Sequence, residues 1–152
     1  MKTLLNRFYS DYLMPSRLPE YEALLVRACQ CGYRQISVRD FHHAVRQEAA
    51  PPTRVLVHRH DIDSDLRTAR KMFALETKHG VRASYYFRLS TLDYGFMRDI
   101  EAAGSEASYH YEEVATYAKR HRMRRGDEVR ARFPEIRELF VRPNAEKHKV
   151  FW

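Results

Sequence analysis

A chain of 152 residues with 44% hydrophobic and 12% aromatic side chains is long enough for one buried core and too short for two ordinary domains, so one domain over residues 1–152 is expected. Every apolar run is broken within a few residues by Arg, His or Asp, and Met1-Lys2-Thr3 leads into Asn6-Arg7 rather than a secretory core. A spanning helix is therefore not expected, and the expected location is cytoplasmic with no membrane partner. The net charge of +7 invites polyanions, but acids interleave with bases along the expected helices. With no helix-turn-helix, glycine-rich or aromatic-stacking signature, nucleic acid ranks last among partners.

Leu18-Pro19-Glu20, followed by Tyr21, Leu24, Leu25 and Ala28 at helical spacing, predicts a helix with Pro in its first turn and Gly32 as its stop. Cys29 and Cys31, one residue apart, suit neither a mutual disulfide nor a metal clip and are expected as packing thiols. The stretch from Tyr33 to Ser37 is short and mixed; Ser37 can then cap a helix over 38–46, on which Phe41, Ala44 and Val45 share a face. Residues 1–50 thus read as a helical lead-in, closed by the linker Ala49-Ala50-Pro51-Pro52-Thr53.

From Arg54 the period alternates: strand at 54–58, helix at 65–79 stopped by Gly80, strand at 81–89, helix at 94–103 closed by Gly104, strand at 107–110. Crossovers of this length predict right-handed βαβ units with parallel pairing, hence an α/β fold. After Glu112 the chain is expected to be helical over 116–152, in two pieces parted near Gly126-Asp127, with Pro134 kinking or restarting the second.

In a parallel α/β sheet, ligand and catalytic groups collect beyond the carboxyl ends of the strands, where the loops converge. Two clusters stand at such ends, His60-Asp61-Ile62-Asp63 and His110-Tyr111-Glu112-Glu113. Asp61 and Asp63 are two apart, so on a persisting strand they share a face, where a cation would offset their repulsion. The alternative is that Asp63 and Ser64 cap the next helix, and both can hold at once. Glu113 follows His110 at the spacing where a nascent helical turn brings side chains together, and zinc sites commonly mix imidazole with carboxylate. The alternative there is a histidine that only satisfies hydrogen bonds. In Lys119-Arg120-His121-Arg122-Met123-Arg124-Arg125, five of seven side chains are permanently positive. That suits phosphate or anionic glycan, and equally the carboxyl end of a helix.

Arg59-His60-Asp61-Ile62-Asp63 after an apolar strand, then Ala83-Ser84-Tyr85-Tyr86-Phe87, then Gly104-Ser105-Glu106 running into His110-Tyr111-Glu112-Glu113, resembles the first half of the polysaccharide deacetylase (NodB-homology) family over about residues 54–115. The segment from Tyr21 to Ala44 looks like the helical lead-in of a branch carrying the Arg-His-Asp-x-Asp variant. The resemblance implies a distorted (β/α) barrel with a divalent metal, usually zinc, that hydrolyses an N-acetyl group from an amino sugar, so carbohydrate is the implied partner. A full barrel needs about 200 to 250 residues. The expected fold is accordingly a partial (β/α) barrel of about three βα units plus an N-terminal helical layer, incomplete at the C-terminus. Carried over in order, Asp61 would be the general base and Asp63 and His110 metal ligands, with Glu113 completing the set and Arg59, His60, Tyr111 and Glu112 meeting substrate.

The sequence departs from the family pattern in several places. Ile62 separates aspartates that are adjacent in the family, so the roles of Asp61 and Asp63 can be exchanged. Val114 stands four residues after His110, where the family has its second histidine, leaving Glu112 or Glu113 to substitute, and Ser105 stands where relatives carry a histidine. Downstream, His121 and His148 are the remaining histidines for a general acid, and Phe140-Val141-Arg142-Pro143-Asn144 is a faint echo of the family's Arg-Pro motif. The expectation is a truncated or degenerate metal hydrolase. Its rival is a non-catalytic glycan- or phosphate-binding module that uses the strand-end cleft and residues 119–125. About three strands cannot close a barrel, so an open edge at 107–110 invites self-association unless the later helices cover it.

Overall fold

The computed structural model describes residues 15–47, 53–123, 126–132 and 134. Residues 49–52 of the expected linker at 49–53, the Arg142-Pro143 stretch and His148 lie outside the described residues. Helix α1 (Leu18–Gln30) has Pro19 in its first turn, buries Leu25 and Ala28, and ends before Gly32, whose φ of +75° a residue with a Cβ would adopt only under strain. Cys29 and Cys31 are free and exposed rather than packed. The buried part of α1 ends at Ala28, and the cysteines follow it in the last turn and the cap.

Strand β1 (Arg34–Ile36) forms where the sequence pattern is too short to signal one. It pairs in parallel with β2 (Val55–Val57), and that distant partner supplies the hydrogen bonds. Between them lies α2 (Val38–Gln47), capped by Ser37, whose Oγ accepts from Asp40 N at 3.0 Å. The extended run then continues past the expected end at 58: His58 N donates to Ile36 O, His58 O accepts from Ser84 N, and β3 (Arg59–Ile62) follows. At this residue the run exchanges β1 for β4 (Ser84–Phe87) as its neighbour. Helix α3 (Leu66–Lys78) crosses from β3 to β4. A short 3₁₀ turn (Leu89–Thr91) and α4 (Tyr94–Ala102) cross from β4 to β5 (Glu106–Tyr109), with α5 (Glu113–Arg120) and α6 (Gly126–Ala131) after it.

All three ladders are parallel, as the crossover lengths demand, so the fold is α/β. Among the described residues the strands form one three-stranded sheet, ordered β3-β4-β5, and the β1-β2 pair; no barrel closes, and β3 and β5 are edges. No helix of the described residues is long and apolar enough to cross a membrane.

Because side chains alternate along each strand, the three-stranded sheet has two unlike faces. Ile62, Tyr85, Phe87 and Ala107 point to α3 and α4 and form the core with Ala69, Phe96, Met97 and Ile100, in which Tyr85, Phe87 and Phe96 meet edge to face. The opposite face carries Arg59, Asp61, Ser84, Tyr86, Glu106 and Ser108 in register. At the strand starts the first turn of α2 closes this polar face: Val38 N donates to Ser84 Oγ at 2.8 Å and Arg39 N to Glu106 Oε2 at 3.0 Å, satisfying amides that a helix start leaves open. The carboxyl ends of the same strands carry the candidate site.

Candidate metal centre

Asp63 lies in the bend directly after β3, its amide bonded to Asp61 O at 3.2 Å. The capping role that Asp63 could have taken goes to Asp65, which accepts from Arg67 N, Thr68 N and Thr68 Oγ1. These bonds, the Thr68 hydroxyl first, hold the Asp65 carboxyl below its ordinary range. Asp63 is therefore left for other work. His110 follows β5 directly, with its amide on Phe87 O at 2.7 Å, and Glu112 stands at the cap of α5.

One ligand atom each from Asp63, His110 and Glu112 lies within 4.8 Å of the other two. The strand ends bring together Asp63 and His110, both expected as ligands, with Glu112, expected at the substrate. The side chain of Glu113, the expected third ligand, lies outside the described residues. Within the group, His110 Nδ1 is 3.4 Å from Asp63 Oδ1 without hydrogen-bond alignment, so a buried ring nitrogen has no hydrogen-bond partner. A buried ring nitrogen without a hydrogen bond, beside one carboxylate and with a second in reach, is the mixed nitrogen–oxygen donor set that a divalent cation such as zinc accepts.

The middle strand contributes a residue that sequence reasoning missed. Arg88, the first residue after β4, contacts both carboxylates: Nε is 2.8 Å from Asp63 Oδ1 and Nη2 is 2.5 Å from Glu112 Oε1. Its backbone is pinned by Thr91, whose Oγ1 accepts from Arg88 N at 3.0 Å and donates to Ile62 O at 2.6 Å. The available signal was positional, since a base that ends the middle strand sits between two strand ends bearing acids.

Asp61 stays on β3 and faces the polar side. Its Oδ1 accepts from Arg59 Nε at 3.0 Å, and the Arg59 guanidinium lies 4.7 Å above the Tyr86 ring. Tyr111 is exposed and meets Tyr109 edge to face. A groove of about 380 Å³ runs beside β3, lined by Arg59, Asp61 and Asp63 on the strand side and Thr68, Ala69 and Met72 on α3. That volume is in the range of small-molecule clefts.

His60, expected at substrate, also lines this groove, but its ring is held on the helix side. Its Nε2 lies 2.6 Å from Oε1 of Glu76, a fully buried carboxylate on α3 that also accepts from the hydroxyls of Tyr21 and Tyr85. Burial by itself raises the Glu76 pKa, but the contact and charge of His60 and the two tyrosine bonds outweigh it and hold the carboxyl below its ordinary range. Tyr85 and Tyr21 are pushed far up by burial and by that carboxylate, so both remain protonated donors. His58 extends the group, with Nε2 on Gln35 Oε1 at 2.9 Å, and burial pushes its pKa down. This network lies under β3 on the helix side. By anchoring His60 there it turns Asp61 to the polar face.

Scans against protein-family models, curated proteins and solved structures return no match for this chain.

Proposed function

We propose that the chain is a metal-dependent hydrolase of the polysaccharide-deacetylase kind, with a (β/α)-barrel-like sheet, that removes N-acetyl groups from amino sugars. The observation that carries this reading is the meeting of Asp63, His110 and Glu112 at the carboxyl ends of parallel strands, with Asp61 two residues before Asp63. In this reading those three residues hold the cation. When bound, a zinc-like ion supplies polarisation of the amide carbonyl and a water whose pKa falls toward about 7. Asp61 takes the proton on its carboxylate, which Arg59 Nε holds in place at 3.0 Å. Tyr86, stacked under Arg59, fixes the guanidinium and leaves the groove beside β3 to admit the sugar.

The test is elemental analysis of purified protein after incubation with zinc, together with acetate release from N-acetylglucosamine oligomers. Near-stoichiometric zinc that His110→Ala largely removes is the expected result; protein that stays metal-free in excess zinc would end the reading. Lys119, Arg120 and Arg122, exposed at the end of α5, favour a second reading as a glycan- or phosphate-binding module. It would be supported by zinc-independent binding of a sulfated oligosaccharide that charge reversal at these three positions abolishes.

A further inference from the structure

The Arg88 guanidinium stands where two carboxylates would otherwise face each other. Its Nε stands 2.8 Å from Asp63 Oδ1 as an ion-pair contact without hydrogen-bond alignment, its Nη2 donates to Glu112 Oε1, and that Asp63 oxygen is also the one nearest His110 Nδ1. Asp63 and Glu112 are the carboxylates that a metal would draw on, and a zinc–oxygen bond of about 2.0–2.2 Å at either contacted oxygen leaves no room for the guanidinium on the same lone pair. Arginine stays charged at any working pH, so it cannot make way by losing a proton. It can make way by moving. Its backbone is pinned at the end of β4 by Thr91, but its side chain is one-third exposed, and Asp63 is about half exposed, so the path from the carboxylates to solvent is short.

We propose that Arg88 is a tethered counter-cation: it balances Asp63 and Glu112 in the metal-free protein, competes with a divalent cation for them, and must withdraw for the cation to load. This rests on the metal-centre reading above. It makes metal affinity a property of four residues rather than three, with the fourth acting against binding. A structural role alone would leave Arg88 stabilising the protein with and without metal. Competition predicts that the sign of its effect changes when metal is added.

The experiment measures zinc affinity by competition with a chromophoric chelator, and melting temperature with and without zinc, for the wild type, Arg88→Gln, Arg88→Lys and His110→Ala. Arg88→Gln should bind zinc about tenfold tighter or more, which is 1.4 kcal/mol per factor of ten. It should melt lower than the wild type without zinc and gain more from added zinc. Arg88→Lys keeps the charge but cannot bridge both carboxylates, so it should fall between the two and serves as the informative variant if Arg88→Gln does not fold. Zinc binding by Arg88→Gln alone, with none by the wild type, would also support the proposal. If Arg88→Gln and the wild type bind zinc alike while His110→Ala loses it, the competition is refuted and the metal centre stands. If no variant binds zinc at millimolar concentration, both fall.

Discussion

Replacing Glu76 by Gln probes the buried network with little change of volume. The carboxylate is fully buried on α3; Oε1 accepts from His60 and Tyr21, and Oε2 from Tyr85. A glutamine that keeps its oxygen at the first position turns two charge-assisted bonds into neutral ones. It also presents an amide N–H to Tyr85, whose hydroxyl must then rotate to accept. Bonds to charged groups contribute about 1.5–3 kcal/mol net and neutral ones about 0.5–1.5, so the summed loss is about 2–4 kcal/mol. Against a total of about 5–15 kcal/mol that is a large share. With an m-value of about 2 kcal/mol/M, the urea midpoint should fall by about 1–2 M at unchanged m, followed by circular dichroism at 222 nm. Tyr85→Phe alone should cost less, and the double variant less than the sum, because the two changes remove the same bond. A Glu76→Gln midpoint within about 0.5 M of the wild type would show that the network contributes little, and that Asp61 owes its orientation to backbone pairing alone.

Asp61→Asn should keep bound zinc and lower any N-acetyl hydrolysis by about a hundred- to ten-thousand-fold, the effect of a lost general base. Elemental analysis beside acetate release separates the roles, since release of zinc by Asp61→Asn but not by Asp63→Asn would exchange base and ligand. Stability should also depend on pH in two steps. Burial holds His58 below its ordinary value of 6.5, so below that value the unfolded chain binds a proton that the folded chain resists, and stability is lost as pH falls. The depressed Glu76 carboxyl adds a second loss of the same sign as pH falls below its ordinary value of 4.5 toward the folded pKa. Urea midpoints at pH 8, 6 and 4 should therefore decline in order. His58→Gln should flatten the upper part of the decline, and an unchanged profile in that variant would remove His58 as its cause.

Local chemistry was enough to read α1 to α4 and their ends. Apolar spacing with Pro19 marks α1, the alternation from Arg54 onward marks the βα units, and Gly104, at φ +80°, ends α4 where a residue with a Cβ would be strained. The parallel class followed from crossover length, and two acid- and imidazole-bearing segments at strand ends marked where a site would form. None of this depends on which residues meet across the fold. Other features depend on little else. β1 exists only because Val55–Val57 offers it a ladder, and the strand from Val55 runs on to Ile62 because Ser84 takes over from Ile36 at His58. The sequence offered Asp63 and Ser64 as caps of α3; the geometry of the turn gave the cap to Asp65 instead. Glu76 reads as one more acid on an amphipathic helix until packing closes Tyr21, His60 and Tyr85 around it. Arg88 carries no motif, and its position between Asp63 and Glu112 follows from the register of three strands, a nonlocal quantity that spacing along the chain does not encode.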